Sequence, residues 1–186
     1  MSTFIWLAII LFLTIALAIS IYCVVSLQAQ IEALGEVRKW KRLAFKDDLT
    51  GLFNRAAFNQ RMDDIHAGDK NDLGIILFDI DDFKEINDTQ GHLIGDAVLR
   101  KTGWLLSEIF ASSSYDVYRI GGDEFAVIGE RVSAYDLKAL IIETQSRFEQ
   151  EGGIHLSTGC AMIGKNVAKA FNDADSMLYA EKATKR

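Results

Sequence analysis

The stretch Gly121-Gly122-Asp123-Glu124-Phe125 separates two short apolar runs, residues 117–120 and 125–128. A glycine pair between strand-like runs predicts a β-hairpin, because glycine adopts positive φ without a steric penalty. Two adjacent carboxylates follow the glycines, which is unusual for a plain turn. A turn without side chains lets a ligand approach the backbone, and acids beside it can hold a cation. The pattern therefore predicts a site for a phosphate and a metal ion.

A second acidic segment follows the continuous apolar run at residues 74–78, which predicts a strand covered on both faces. Asp79 comes directly after this run, so we expect its carboxylate at the strand end, at the edge of the core. Asp81 and Asp82 are expected to be solvated acids of the following loop. If this strand neighbours the hairpin, Asp79 converges with the hairpin acids. Magnesium commonly takes one or two carboxylates plus substrate phosphates, so three acids suffice for two ions.

The order of the other elements indicates the fold class. Helical periodicity covers residues 93–110, and Ser133 to Asp136 is typical of a capping box that opens another helix. A strand near residues 154–162 and a final helix follow. The order β-α-β-β-α-β predicts an α+β fold, with a ferredoxin-like or palm-like sheet and flanking helices. In this arrangement the first strand and the hairpin strands are central neighbours.

The N-terminal residues 4–27 carry no charge, and a helix of this length can cross a bilayer core of about 30 Å. The alternative, a cleaved secretory signal, would need a basic start and a shorter apolar core. Basic residues follow the span and none precedes it, so the positive-inside rule places the remainder in the cytoplasm. We predict one transmembrane helix at residues 1–27, a juxtamembrane helical linker at residues 28–46 and a globular domain at residues 47–186. The linker is either a single helix or half of a short coiled coil.

Composition excludes several other classes of site. The formal net charge of −6 and the lack of a basic stripe in the domain argue against nucleic-acid binding. The basic cluster after the span is expected to contact anionic lipid headgroups instead. Cys23 and Cys160 are too few for a disulfide framework, which fits a reducing compartment. The three scattered histidines show no spacing typical of a zinc site.

Five segments, in this order, resemble the GGDEF family of diguanylate cyclases. They are residues 47–55 (DDLTGLFNR), residues 78–96 (FDIDDFKEINDTQGHLIGD), the pentapeptide, residues 157–161 (STGCA) and residues 174–182 (ADSMLYAEK). The resemblance covers residues 47–186 and implies the GGDEF fold. It also implies an enzyme that condenses two GTP into cyclic di-GMP and releases two pyrophosphates. A bacterial inner-membrane protein with one span and a cytoplasmic catalytic domain is the expected setting.

The resemblance also implies a role for individual residues. Asp79, Glu124 and the backbone carbonyl of Ile80 would bind two Mg²⁺ ions, with Mn²⁺ as an alternative. Asp123 would be a metal ligand, the base that takes the 3′-hydroxyl proton, or both. The phosphate contacts would be Lys84 and, at the terminal phosphates, Lys182 and Arg186. Guanine would be read by Asn87 and Asp96, with His92 in the nucleotide pocket. Gly121 and Gly122 would contact the substrate from the turn. A charged helix end is the alternative for Lys182 and Arg186.

One domain holds one GTP, whereas the product has two phosphodiester bonds, so the resemblance implies a homodimer with facing half-sites. The sequence departs from the family at three places. Glu181 stands where alanine is usual, residues 112–115 lack the inhibitory Arg-x-x-Asp, and Lys185-Arg186 stand where Gly-Arg-Asn is usual. Two alternatives remain. A catalytically silent GTP- or dinucleotide-binding receptor is opposed by the intact pentapeptide, and a mixed purine cyclase is opposed by Asp96.

Overall fold

The computed structural model describes residues 2–68, 72–112 and 114–185. The chain divides into two compact units, Met1–Ala44 and Phe45–Arg186. The first unit consists of helix α1, Ser2–Ala44. Within it, Leu13–Glu32 is long and apolar enough to cross a membrane, and none of this stretch is buried. Length and composition are the whole basis for that span. The boundary between a transmembrane helix and a linker stays a prediction, because α1 continues without a break.

The second unit contains nine further elements in its described part. They are α2 (Arg55–Ala67), β1 (Leu73–Ile80), α3 (Phe83–Gln90), α4 (His92–Ile109), β2 (Tyr115–Arg119), β3 (Glu124–Glu130), α5 (Ala134–Gly152), β4 (Leu156–Ile163) and α6 (Val167–Lys185). The four strands form an antiparallel sheet in the order β2-β3-β1-β4. The predicted α+β fold is confirmed, including the central position of the first strand beside strand β3 of the hairpin. The expectation that both hairpin strands are central was wrong, because β2 lies at the edge of the sheet. Helix α3 was not predicted.

Strand β1 is buried along its whole length, as its apolar run predicts. Because successive side chains of a strand point to opposite faces, β1 contributes to two separate cores. Ile76 and Phe78 pack into the core that includes α4 and α5, and Ile75 and Leu77 pack into the core that includes α2 and α6. Burial on both faces fixes the register of β1, and therefore the place where Asp79 leaves the sheet.

Helix α6 lies directly on strand β4, because Gly159 leaves room for its backbone. A Cβ atom at Gly159 would lie 2.0 Å from the carbonyl oxygen of Ala174 and 2.6 Å from the amide nitrogen of Leu178. Such distances are far below van der Waals contact, so any side chain here would push α6 off the sheet. This close packing sets the position of α6 on the sheet, and therefore where its last turns meet the ends of β1 and β4.

Candidate active site

Asp79 and Glu124 lie directly opposite each other on the neighbouring strands β1 and β3. Directly opposed residues of an antiparallel pair have Cβ atoms about 4.5–5.5 Å apart, on the same face of the sheet. The amide of Ile80 donates a hydrogen bond of 3.2 Å to the carbonyl oxygen of Asp123. This bond links the residue after Asp79 to the residue before Glu124. The structure therefore brings together the acids that the sequence placed in two separate segments.

Asp79 is almost completely buried, with 5% of its side chain exposed, and it faces a lysine. The Lys182 Nζ atom lies 2.6 Å from Asp79 Oδ1. The contact is therefore an ion pair between a buried carboxylate and a partly buried ammonium group. Burial raises the pKa of Asp79 to about 6; Lys182 opposes this rise, and the charges of Asp123 and Glu124 add to it. A cation beside this carboxyl favours its charged form, so the site suits a positive ligand.

The donor set fits magnesium rather than a metal held by protein alone. Among the described residues, no three His, Cys, Asp or Glu side chains are grouped closely enough to hold an ion by themselves. Magnesium usually keeps several waters and binds through one or two carboxylates plus substrate phosphates. The pair Asp79 and Glu124, with a backbone carbonyl beside it, therefore matches an ion that arrives with a nucleotide.

The hairpin glycines provide space rather than positive φ, so the reason for expecting them in the turn was wrong. Neither Gly121 nor Gly122 has positive φ. A Cβ atom at Gly121 would lie 2.2 Å from Oε2 of Glu124, whereas one at Gly122 would meet nothing within 4 Å. Gly121 thus makes room for the Glu124 carboxylate, and Gly122 leaves an open face on the turn.

Sequence reasoning missed Arg119, which holds this turn. Its Nε and Nη2 atoms donate to the carbonyl oxygen of Gly122 at 3.2 and 2.8 Å, and its Nη1 atom lies 3.1 Å from Oδ1 of Asp47. Asp47 also accepts hydrogen bonds from the amide and hydroxyl of Thr50. Only 14% of the Arg119 side chain is exposed. These hydrogen bonds and contacts together fix the hairpin to the segment that precedes α2.

A cleft of about 390 Å³ opens between the end of β1, helix α3 and the end of α6. Charged residues dominate its lining, which includes Asp82, Lys84, Asp123, Lys182 and Lys185. Asp82, the residue just before α3, is in the left-handed conformation, with φ 55°. Its side chain makes no capping hydrogen bond to the helix. The first amides of α3 are therefore not used by a capping side chain, as expected of a site that receives an anion.

Asp81 is not the solvated acid that the sequence predicts. Only 14% of its side chain is exposed, and its Oδ2 atom lies 2.9 Å from Nζ of Lys185. Its other carboxylate oxygen accepts a hydrogen bond from the Ser157 hydroxyl. Asp82, by contrast, is exposed as predicted. Sequence alone could not reveal these contacts, because Lys185 is 104 residues away in the chain.

The residues expected to read guanine lie around the junction of α3 and α4. Asn87 is half-buried and packs on Gly95, where a Cβ atom would lie 2.0 Å from Asn87 Oδ1. Asp96 follows Gly95 and is also half-buried, and its Oδ2 atom lies 3.8 Å from Nη2 of Arg100. His92 is exposed at the start of α4. The structure thus brings Asn87 close to the backbone beside Asp96.

Some predicted site residues lie apart from the charged cleft. The guanine-reading positions, the hairpin glycines and Glu124 are not part of its lining. Glu124 lines a smaller cleft of about 210 Å³ together with Arg55 and Asp175. Arg186 lies outside the described residues.

Comparison with known proteins identifies the family. Residues 44–186 match the family described as diguanylate cyclase, GGDEF domain. The chain belongs to the GGDEF family. Its GGDEF domain accounts for the β-α-β-β-α-β sheet and for the acids at the ends of β1 and β3.

Individual relatives agree with this family. A probable diguanylate cyclase of Escherichia coli (strain K12), DgcI, is 38% identical over 147 residues, which are 77% of this chain and 32% of that protein. An uncharacterized membrane protein of Staphylococcus haemolyticus (strain JCSC1435) is 33% identical over 153 residues, or 73% of this chain and 42% of that protein. The chain therefore matches only about a third to two fifths of the length of these relatives.

A solved structure shows the same fold. The crystal structure of the coiled coil and GGDEF domain of DgcB from Caulobacter crescentus, in complex with c-di-GMP, is 30% identical and superposes with a TM-score of 0.77. The likeness covers 86% of this chain and 92% of that one.

Proposed function

We propose that this chain is a diguanylate cyclase, which condenses two GTP into cyclic di-GMP and releases two pyrophosphates. The observation that carries the proposal is the pairing of Asp79 with Glu124 beside Asp123, which lines the charged cleft together with Lys84 and Lys182. Membership of the family and the similarity to a probable diguanylate cyclase support the same activity.

Asp79, the carbonyl of Ile80, Asp123 and Glu124 would hold two Mg²⁺ ions, for which Mn²⁺ could substitute. Bound ions would lower the pKa of the attacking hydroxyl and stabilise negative charge on the phosphates. This assignment fits the acids of the site, because Asp79 is buried beside two further carboxylates and favours a positive neighbour.

The remaining side chains bind GTP and move a proton. The 3′-hydroxyl oxygen of one GTP attacks the α-phosphate of the other, pyrophosphate leaves, and Asp123 accepts the hydroxyl proton. Lys84, Lys182 and the first amides of α3 stabilise the phosphates. Asn87 and Asp96 hydrogen-bond guanine, and His92 lines the guanine pocket. Gly121 and Gly122 let the nucleotide approach the turn. Arg186 adds positive charge at the terminal phosphates.

The reaction requires two copies of the domain, because each copy holds one GTP and the product contains two new bonds. We therefore propose a homodimer with facing half-sites. Each copy would be anchored in the bacterial inner membrane by residues 1–27. The two copies would pair through a coiled coil formed by residues 28–46, and the catalytic domains, residues 47–186, would lie in the cytoplasm. The structure of the coiled coil and GGDEF domain of DgcB supports such a linker, and the basic residues after the span suit anionic lipid.

The experiment is a product assay on the full chain in detergent, supplied with GTP and Mg²⁺ and read by chromatography and mass spectrometry. The wild type should form cyclic di-GMP. Asp123→Asn removes the base and a ligand charge, so the rate should fall by at least about a hundredfold. Equal melting temperatures would show that the variant is folded. Product at the wild-type rate from Asp123→Asn contradicts its assignment, and GTP binding without turnover by the wild type would favour a silent receptor.

A further inference from the structure

The last turns of α6 bring two lysines against the ends of β1 and β4. Lys182 Nζ lies 2.6 Å from Oδ1 of Asp79. One helical turn later, Lys185 Nζ lies 2.9 Å from Oδ2 of Asp81. Residues three apart in a helix share a face, so two lysines of α6 meet two acids that are two apart in the chain. The first pair belongs to the proposed catalytic site, and the second pair lines the same cleft without an assigned contact to GTP.

Lys185 is a link between three segments rather than a free cation in the cleft. Besides Asp81, its ammonium group contacts Oε1 of Glu181 at 2.9 Å and the carbonyl oxygen of Leu156 at 2.8 Å. The Ser157 hydroxyl lies 3.3 Å away. An ammonium group has three donors, and these acceptors occupy them. Lys185 therefore joins α6, the start of β4 and the turn after β1.

Glu181 holds the other side of this link. One of its carboxylate oxygens accepts hydrogen bonds from the Thr158 amide at 2.9 Å and the Thr158 hydroxyl at 2.8 Å. Its second oxygen accepts from Nε2 of Gln145 at 3.0 Å as well as from Lys185. Alanine at this position could make none of these contacts. The residue that departs from the family pattern is thus a fully engaged member of the network.

The segment that the network holds is the turn between β1 and α3. Its residue Asp81 is fixed by the side-chain contacts to Lys185 and Ser157 and by an amide hydrogen bond to the His155 carbonyl at 3.0 Å. The next residue, Asp82, has φ 55°. A left-handed conformation is unfavourable for a residue with a Cβ atom and persists only where the surroundings hold it. This turn presents the uncapped amides of α3 to the cleft.

We propose that Lys185 and Glu181 are positioning residues for GTP. Through Asp81 they fix the turn at residues 80–83, and through α6 they keep Lys182 over Asp79. This assignment rests on the proposed function, because that function gives the turn and Lys182 their contacts with phosphate. Neither Lys185 nor Glu181 touches the reacting atoms.

The test uses the full chain in detergent and three variants. Lys185→Met removes the charge but keeps a side chain of similar length, and Lys185→Arg keeps the charge. The control is Lys169→Met, which removes another lysine of α6; the Lys169 side chain is 68% exposed and pairs with Asp173. The probe is 3′-deoxy-GTP with Mg²⁺, which binds without reacting. Lys185→Met should weaken its binding, and raise KM for GTP, roughly fivefold. It should also speed amide exchange in residues 80–84. Lys185→Arg should recover most of the loss, and Lys169→Met should match the wild type.

Glu181→Ala should shift binding and amide exchange in the same direction as Lys185→Met. The assignment is overturned if Lys185→Met only lowers the melting temperature and leaves KM, 3′-deoxy-GTP binding and exchange at the turn at wild-type values. A wild type that binds 3′-deoxy-GTP but makes no cyclic di-GMP would refute the proposed function alone. Binding and exchange would then still decide the positioning role.

Discussion

At the scale of single residues, Gly95 decides where the side chain of Asn87 can lie. A Cβ atom at Gly95 would be 2.0 Å from Asn87 Oδ1, so Gly95→Ala must displace the amide that we assign to guanine. We expect KM for GTP to rise roughly tenfold, equivalent to the loss of one well-made hydrogen bond. Steady-state kinetics with GTP, and with ATP as competitor, measure the change.

A control at a glycine with open surroundings tests whether a change in KM requires this displacement. A Cβ atom at Gly164 would meet nothing within 4 Å, so Gly164→Ala should leave KM unchanged. Alanine also favours helix over glycine by about 1 kcal/mol, and Gly95 lies inside α4. Gly95→Ala protein with unchanged KM for GTP would show that Asn87 does not contact the substrate.

Glu181 makes a second prediction at this scale, on acid stability. Burial alone would raise its pKa, but hydrogen bonds from Lys185 and Thr158 prevail and hold it below its ordinary value of 4.5. A depressed pKa in the folded state contributes stability above that value, and this contribution is lost as pH falls through the folded pKa. At pH 7, Glu181→Gln should therefore have a lower melting temperature than the wild type, and its free energy of unfolding should be lower by roughly 1 kcal/mol. This difference in stability should disappear towards pH 3.

Thermal melts of both proteins across pH 3–7 measure this difference. Because every other titrating group is common to the two proteins, their difference isolates the Glu181 carboxyl. A gap that stays constant over the whole range would contradict the assigned hydrogen bonds.

Residue types in short segments identified the acids but not their partners. Asp79 and Glu124 could be anticipated, because each stands at the end of an apolar run and the runs pair in the sheet. Asp81 looked equally acidic and equally close to a strand end. Its partner Lys185 comes from the far end of the chain, and no local pattern encodes such a contact. Long-range side-chain pairs are the part that one sequence leaves open.

At the scale of elements, Arg119 ties the β2–β3 hairpin to the segment before α2. The Arg119 and Asp47 side chains are 14% and 22% exposed, so their ion pair is partly shielded from water. We expect a double-mutant cycle of Arg119→Met and Asp47→Asn to show a coupling of about 1 kcal/mol. Asparagine keeps a carbonyl oxygen for Thr50, so the cycle reports mainly the contact with Arg119. Unfolding in denaturant, followed on the full chain in detergent, gives the four free energies.

The pair Lys169 and Asp173 on α6 is the control for that cycle. Its side chains are 68% and 52% exposed, and exposed pairs of this spacing contribute about 0.3–0.5 kcal/mol. A coupling between Arg119 and Asp47 no larger than in this pair would mean that their ion pair does not help to hold the hairpin.

The elements themselves were largely predictable, with one exception. The capping box at Ser133 and Asp136 forms as expected, with the Asp136 carboxylate 2.8 Å from the Ser133 amide. Helix α3 was missed, because its eight residues contain only two apolar side chains, Phe83 and Ile86, which make too short a pattern to recognise. Its end is set by Gly91, with φ 86°, rather than by periodicity. A helix this short has too few apolar positions for its periodicity to be recognised.

At the scale of the whole molecule, the N-terminal helix makes a prediction on location. A charge in the middle of a membrane span costs about 2.5–3.5 kcal/mol on insertion scales. Ile19→Arg lies within the apolar stretch Leu13–Glu32 and should therefore shift the chain from the membrane fraction to the soluble fraction. Ile142→Arg, on the exposed surface of α5, is the matched control and should leave the distribution unchanged. Equal membrane fractions for both variants would contradict the proposed anchor.

The proposed homodimer makes the last prediction, because cyclic product requires two competent half-sites at once. When wild type and Asp123→Asn are co-expressed in equal amounts and pair at random, about a quarter of the dimers contain two intact copies. Cyclic di-GMP formation per total protein should then fall to about a quarter of the wild-type rate. Independent copies would instead retain about half of it. Mixed dimers keep one intact half-site, which can form one of the two bonds, so a linear dinucleotide should accumulate beside the cyclic product. Mass spectrometry distinguishes the two products, and a rate that follows the wild-type fraction linearly would rule out the facing half-sites.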